Sequence, residues 1–400
     1  MPPEPPSPNS AVLSLLPPPA PGVARAATRQ PAAGLRVVDV ALFYGERSGG
    51  IRTYLEAKAD YARRTRRFEH HLVVPGRTHG ASDDGLRHEQ RSLRLAASNG
   101  YRIPLGGAGL QATLRLLAPD IVLLHDPYWT PRLSCRAAHE HGALVVAVHH
   151  SSVALHAAGL PGPQELYKAA LRRWYRRAYV EVDGVMSVVD PGPDTHRPST
   201  LPLRLGLDPV FRPRPEIVRA DHVLYAGRLS REKGVRELLQ AAAAAPEPWP
   251  LHLLGTGPAA DALRERADAL GLGGRVSFMP YLRDREALAK EFARARCVVL
   301  PGLHETFGLV ALEAAACGAA VVTADCTPSA ALLDGCVEIF RAGDSANLLA
   351  AIERARRHTP DPQAAAALTA RHSWDAALSQ ELDDLERLLQ APDRPQARSV

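Results

Sequence analysis

From Leu35 onward the chain alternates short, continuous apolar runs with stretches in which apolar residues recur at helical spacing. LRVVDVALFY, HHLVV, IVLLHD, LVVAVHH and GVMSVV read as strands; GIRTYLEAKADYARR, LQATLRLLA, LSCRAAHEHG and QELYKAALRRWYRRAY read as helices between them. A strand covered by helices on both faces is apolar at every position, so unbroken runs of this kind predict a parallel sheet. Strands separated by helices predict right-handed crossovers and a doubly wound α/β sheet. After Asp190 the texture breaks: PGPDTHRPSTLPLRLGLDPVFRPRPE is rich in proline, lacks a regular period and has the length of an interdomain crossing. A second series follows, with HVLYAG, LHLLGTG, VSFMP, CVVLPG and AVVTAD as strands and GVRELLQAAAAA and AADALRERADALG among the helices. HSWDAALSQELDDLERLLQ closes the chain as an amphipathic helix.

The first 33 residues do not fit this pattern. They are dense in proline, which fixes φ and removes backbone donors, and they predict a disordered tail. The expected organisation is therefore a tail over 1–33, a Rossmann-like domain over 34–195, a second Rossmann-like domain over 196–375, and a terminal helix over 376–391 that packs back on the first domain. In open α/β sheets ligands bind at the carboxyl ends of the strands, so the site is expected in the cleft between the two domains.

Length and composition narrow the function classes. Four hundred residues exceed one hydrophobic core and exclude a single small binding module. With 46% apolar and 23% charged residues, most of the chain can fold. The net charge of +5 suits an anionic small molecule, an anionic membrane or nucleic acid without choosing among them. Lysine occurs only at Lys58, Lys168, Lys233 and Lys290, so arginine is the default cation and a cluster of arginines is a weak signal. Cys135, Cys297, Cys317, Cys326 and Cys336 are odd in number, lack C-x2-C spacing and mostly have apolar neighbours. They read as reduced residues of a cytoplasmic protein, with neither disulfides nor a zinc site. No apolar run reaches the ~18 residues of a membrane span.

The strongest chemical signal is Glu305-Thr306-Phe307-Gly308-Leu309-Val310-Ala311-Leu312-Glu313, which follows the strand CVVLPG. A helix starting near Gly308 places Glu305 in the preceding loop and Glu313 in an early turn. The N–H groups at Gly308 and Leu309 can then bind a phosphate or sugar oxygen, aided by the helix dipole. The plainer reading is a capping acid and a solvated helix acid. The strand HVLYAG runs into GRLSREKG, where Arg228 and Lys233 can clamp two adjacent phosphates, although two loop cations are often only solvated. Gly49 and Gly50 follow the first strand at a helix start, where a ligand can approach the backbone closely. His149 and His150 end the strand LVVAV at the mouth of the cleft, and Gly255 and Gly257 form a similar strand-end turn expected to line the nucleotide pocket.

Together these residues resemble the retaining sugar-nucleotide transferases of glycosyltransferase family 4, whose fold is GT-B: two Rossmann-like domains facing a cleft. The resemblance spans roughly Arg36 to Leu389 and rests on SGG, the histidine after LVVAV, G-R-L-S-x-E-K-G, G-x-G and PGLHETFGLVALEAAACG. It implies that Arg228 and Lys233 hold the donor diphosphate, Glu305 the transferred sugar, Glu313 the ribose and Gly50 the phosphate from the opposite domain. It also implies that one of His149 and His150 contacts the sugar, with Thr306, Phe307, Gly308 and Leu309 at the donor. FYGERSGGIRTY, NGYRIPLGG and PGLHETFGLVALEA are most similar to GDP-mannose-dependent mannosyltransferases that extend phosphatidylinositol mannosides.

The sequence contains no strict D-x-D, the usual metal-diphosphate bridge of other glycosyltransferases, so no metal and no cofactor are expected; the nucleotide sugar is a substrate. Expected partners are that donor and a glycan or lipid-linked acceptor. A UDP-sugar transferase or a sugar-nucleotide epimerase of the same architecture is the enzymatic rival, and a basic nucleic-acid-binding protein is the rival of another class. The latter rests on Arg172, Arg173, Trp174, Arg176 and Arg177, which form no recognisable nucleic-acid motif. With Leu166 and Leu171 the same helix can seat a cytoplasmic protein on an anionic inner membrane face. The ordinary alternative, favoured by the abundance of arginine, is a solvated face with Trp174 in the core.

Overall fold

The structure, a computed structural model, describes residues 34–42, 44, 50–94, 102–125, 129–150, 153, 162–188, 199–303, 305–333 and 335–391. The expected tail over 1–33 lies outside them.

The first sheet contains β1 (Leu35–Ala41), β2 (Phe68–Gly76), β3 (Gly80–Ala81), β4 (Arg87–Arg94), β5 (Arg102–Pro104), β6 (Ile121–His125), β7 (Leu144–His149), β8 (Gly184–Ser187) and β9 (Thr200–Pro202). Its order is β3-β4-β2-β1-β6-β7-β8-β9, with β5 paired to β4. Only β3 and β5 run antiparallel to their neighbours. Helices α1 (Gly50–Thr65), α2 (Ala108–Leu117), α3 (Pro131–His139) and α4 (Gln164–Ala178) connect the strands. The central strands β6 and β7 are buried at every residue, and β1 from Val37 onward, as a parallel sheet covered on both faces requires. The strand β4 escapes an apolar-pattern reading because its inward residues are polar. His88 bonds to His71, Gln90 to Thr113, and the Ser92 hydroxyl donates to the Gly76 carbonyl.

The second sheet contains β10 (Val223–Ala226), β11 (Leu251–Leu254), β12 (Val276–Met279), β13 (Cys297–Leu300), β14 (Ala320–Ala324) and β15 (Val337–Phe340), in the order β12-β11-β10-β13-β14-β15, all parallel. The sequence pattern names five of these strands and passes over β15, whose run VEIF has a single buried residue. Helices α5 (Val235–Ala244), α6 (Ala260–Ala269), α7 (Arg285–Arg294), α8 (Leu309–Ala316), α9 (Ser345–Arg357), α10 (Pro362–Arg371) and α11 (Trp374–Leu389) complete the fold. In both sheets the order reverses beside the first strand, between β1 and β6 and between β10 and β13. Such a switch point opens a crevice at the strand ends.

Helix α11 follows the second sheet in sequence but belongs to the first sheet's core. Trp374, Leu378, Leu382 and Leu385 pack with Tyr54, Leu55, Val37 and Leu123. Two crossings, near Leu207 and at His372–Ser373, are joined by the Leu207 amide, which donates to the His372 carbonyl at 2.6 Å. Gly206 is needed there, since a Cβ would lie 2.5 Å from the Trp374 Cα. Cys135, Cys297, Cys317 and Cys336 are buried and Cys326 is exposed; all five are free thiols.

Candidate active site

The loop after β10 and the loop after β13 meet at the second sheet's switch point. Gly234 has φ +66°, and a Cβ there would sit 2.1 Å from the Pro301 carbonyl oxygen, so only glycine lets the two loops touch. The contact sets Lys233 beside Glu305, and Lys233 Nζ donates to Glu305 Oε1 at 2.7 Å. One of the ammonium's three donors is thereby used. Gly308, at φ +86°, caps α8 in the left-handed conformation; a Cβ would lie 2.6 Å from both Ser329 Oγ and Thr327 Cγ2. Ser329 pins the turn, its hydroxyl donating to the Gly308 carbonyl and its amide to the Phe307 carbonyl. The amides of Ala311 and Leu312 bond back to Gly308, which leaves Leu309 and Val310 with the unspent amides of the first turn.

These groups wall a cavity of about 340 Å³ between the two sheets. Its lining includes Arg228, Lys233, Glu305, Thr306, Phe307, Gly308, Leu309 and Val310 from the second half, and Gly50, Ile51 and His150 from the first. Arg228 is exposed and has no acceptor among the described residues. A Cβ on Gly50 would lie 3.2 Å from Leu309 Cδ1, so the starts of α1 and α8 face each other. Two helix N-termini, a guanidinium and an ammonium thus surround one space, an arrangement suited to a diphosphate. Buried Tyr225 steadies the loop, its hydroxyl donating to the Arg228 carbonyl at 2.7 Å.

Other expected site residues lie elsewhere. Gly49 falls outside the described residues. Gly255 and Gly257 do not line the cavity, contrary to the reading of G-x-G as a pocket turn. They let the loop after β11 press on the loop after β10: their Cβ atoms would lie 1.9 Å from the Gly227 oxygen and 2.2 Å from the Leu229 oxygen. They therefore support Arg228 from behind. Glu313 is buried beside the cavity but absent from its lining; Arg285 donates to its Oε1 at 3.0 Å and also to Asp208. Burial raises the Glu313 carboxyl to about 7, Arg285 opposing the shift.

The histidine pair separates. His149 turns into the first half, where its Nδ1 meets the Tyr179 hydroxyl at 2.7 Å and its ring packs edge-on against Tyr175. His150 lines the cavity, and its Nε2 lies 2.6 Å from Nδ1 of His125, whose Nε2 lies 2.5 Å from Asp39 Oδ1. Asp39 also meets His70 Nε2 at 2.7 Å and Lys58 at 3.3 Å, and Lys58 meets Glu381 of α11 at 2.7 Å. The whole cluster is buried. Asp39, His125, Tyr225 and Arg285 are not singled out by the sequence motifs, and Gly234 enters them only as the last residue of G-R-L-S-x-E-K-G. An acid interrupting the run VVDVA was the available sign for Asp39.

Away from the cavity, His222, His252 and Glu291 bring three potential ligand atoms within 4.8 Å of one another. The two imidazoles are stacked at 4.2 Å and 20°. A metal lies in the plane of each imidazole that binds it, and near-parallel planes this far apart do not share an ion. On α4, Trp174 is 43% exposed and Leu166 66% exposed, so Trp174 is not a core residue; Tyr175 and Ala178 are the buried side of that helix. Among the described residues no helix is long and apolar enough to cross a membrane.

Comparison with known proteins gives the same architecture. A family model described as Glycosyltransferase Family 4 matches residues 48–190, and one described as Glycosyl transferases group 1 matches residues 220–358. A GDP-mannose-dependent alpha-(1-6)-phosphatidylinositol dimannoside mannosyltransferase of Mycobacterium tuberculosis is 32% identical over 309 residues, 72% of this chain and 79% of that protein. A D-inositol 3-phosphate glycosyltransferase of a Mycobacterium species is 39% identical over 148 residues, 35% of this chain and 31% of the relative. Among solved structures, sucrose-phosphate synthase from Thermosynechococcus elongatus superposes with a TM-score of 0.67 at 19% identity, covering 88% of this chain and 99% of its own. An Anabaena protein in complex with UDP and glucose gives 0.66 at 17% identity, with the same coverage. The cleft at two facing switch points, the paired family matches and the mycobacterial relative together identify the chain as a member of glycosyltransferase family 4, an enzyme of GT-B architecture.

Proposed function

We propose that this glycosyltransferase moves a mannosyl unit from GDP-mannose, with retention of configuration, onto a lipid-linked acceptor of the phosphoinositide class. The observation that carries the reading is the convergence of Arg228, Lys233 and the starts of α1 and α8 on one cavity. The similarity to the 32% identical GDP-mannose-dependent phosphatidylinositol dimannoside mannosyltransferase supports mannose and the acceptor class.

In this mechanism the donor diphosphate lies against Arg228, the two N–H groups of Lys233 not given to Glu305, and the Leu309 and Val310 amides. The bond from the anomeric carbon to the diphosphate oxygen lengthens, and negative charge gathers on that oxygen. Cations and helix-end amides stabilise it in a site walled from water. The acceptor hydroxyl attacks from the face the diphosphate leaves, and the departing oxygen takes its proton. Glu305, held at its position by Lys233, accepts hydrogen bonds from sugar hydroxyls. Positive charge comes from side chains and backbone, so no metal is required.

The acceptor is brought by α4, where Trp174, Leu166 and the nearby Leu133 and Val180 are exposed beside Arg172, Arg173, Arg176 and Arg177. This surface suits an anionic leaflet on the cytoplasmic side. The test is incubation of the full chain with GDP-mannose and phosphatidylinositol-mannoside vesicles in EDTA. Release of GDP with an α-mannosylated lipid is expected. Turnover restored only by manganese overturns the metal-free mechanism, transfer from a UDP-sugar alone overturns the donor, and an epimerised sugar nucleotide overturns the transfer reaction.

A further inference from the structure

Asp39 on β1, His125 on β6 and His150 just past β7 occupy three adjacent central strands. Asp39 is paired with Leu123 and His125 with Val148, so each step to the next polar residue climbs two positions. A two-residue step keeps a side chain on the same face of a sheet, and the row rises diagonally from the core to the cavity wall. Tyr54 of α1 covers it, its ring 5.8 Å from His125 and 6.1 Å from His150.

We propose that Asp39 and His125 are positioning residues for the transfer reaction, holding His150 in the Nε2–H tautomer at the wall of the donor cavity. The tautomers follow from donor and acceptor chemistry. A carboxylate only accepts, so both imidazoles on Asp39 must donate from Nε2. The neutral His125 ring then has a lone pair at Nδ1, and the His150 Nε2 at 2.6 Å must donate to it. Nδ1 is left as the acceptor nitrogen of His150. Burial disfavours imidazolium on both rings, while Lys58 and the two histidine bonds hold Asp39 ionised against its own burial. Among the described residues, the groups facing His150 include His125, Tyr54, Lys58, Asp39 and, next to it in the chain, His149. A neutral ring polarised by a buried carboxylate avoids setting a full cation against a sugar that gains positive charge as the diphosphate leaves.

The inference rests on the proposed donor site for its catalytic consequence, but not for its structural test. Imidazole nitrogen NMR on the full chain without donor, assigned by single-histidine variants, should show neutral Nε2–H signals for His125 and His150 from pH 6 to 8. His125→Ala should return His150 to a mixture of tautomers. An Nδ1–H His150 in the wild-type protein, or one indifferent to His125→Ala, overturns the relay whatever the donor proves to be. In GDP-mannose turnover, His125→Ala should lower kcat about thirtyfold with donor KM changed less than about threefold. In a His150→Ala background the same change should cost less than about threefold. Full additivity means that His125 does not act through His150. His125→Asn, whose amide oxygen can stand where Nδ1 stands, should fold and recover part of kcat; equal loss in both variants overturns the positioning role.

Discussion

Lys233 sits deeper than Arg228 and is bonded to a carboxylate that is itself largely shielded. A cation in such surroundings acts on a leaving group with less screening than one at the mouth. Lys233→Ala should therefore lower kcat/KM with GDP-mannose about 10²- to 10³-fold, and Arg228→Ala less. Near-wild-type turnover in both variants refutes the diphosphate clamp. Glu313 supplies a pH test. Its carboxyl titrates at about 7 in the folded chain, above its ordinary 4.5, because it is buried. The folded state thus binds the proton more tightly; the stability this contributes is complete below about 4.5 and lost as pH rises through 7. Glu313→Gln stays neutral throughout, so its melting temperature should gain on the wild-type value between pH 4.5 and pH 8. A constant difference across that window contradicts the shift. At this scale the motif residues of the cavity could be picked out from the sequence, since Arg228, Lys233 and Glu305 sit at strand ends. The choice between His149 and His150 could not: adjacent residues near a strand end point to opposite faces, and only strand pairing says which face meets the cleft.

Turns decide which elements can meet. The loops carrying Arg228, Lys233 and Glu305 stay in contact because Gly255, Gly257 and Gly234 leave no Cβ between them. Gly255→Ala, which would put a methyl group 1.9 Å from a carbonyl oxygen at φ +146°, should destabilise the second half by more than about 2 kcal/mol in urea unfolding and weaken GDP binding with it. Normal stability with normal nucleotide affinity would mean that the loops need no such contact. Helix α4 gives a separate prediction. Its apolar side chains are partly outside the core, so Trp174→Ala should weaken sedimentation with phosphatidylglycerol vesicles several-fold without lowering the melting temperature. Equal sedimentation removes the membrane role. The central helices and strands were legible because burial on both faces leaves an apolar signature. The strand β4 was not, because its inward His88, Gln90 and Ser92 are polar residues that each make a buried hydrogen bond, which hydropathy does not register.

Across the whole molecule, the cavity takes one wall from each half, and a donor that touches both favours the arrangement seen here. Nucleotide sugars should raise the melting temperature, GDP-mannose more than UDP-glucose or ADP-glucose; equal shifts would leave the base unread. The terminal helix ties the halves in another way. Its Glu381 accepts from Lys58 and Tyr54 deep within the first half, and its leucines complete that half's core. A lysine only 2% exposed is stable as a cation only with its acids present. During synthesis, then, the portion made first is finished last: until residue 389 has cleared the ribosome, β1 and α1 carry an uncovered apolar stripe and a charge lacking one counter-ion. The two halves cannot mature in the order in which they are translated, and nascent chains stalled between the halves should be far more sensitive to protease within α1 and β2 than released protein.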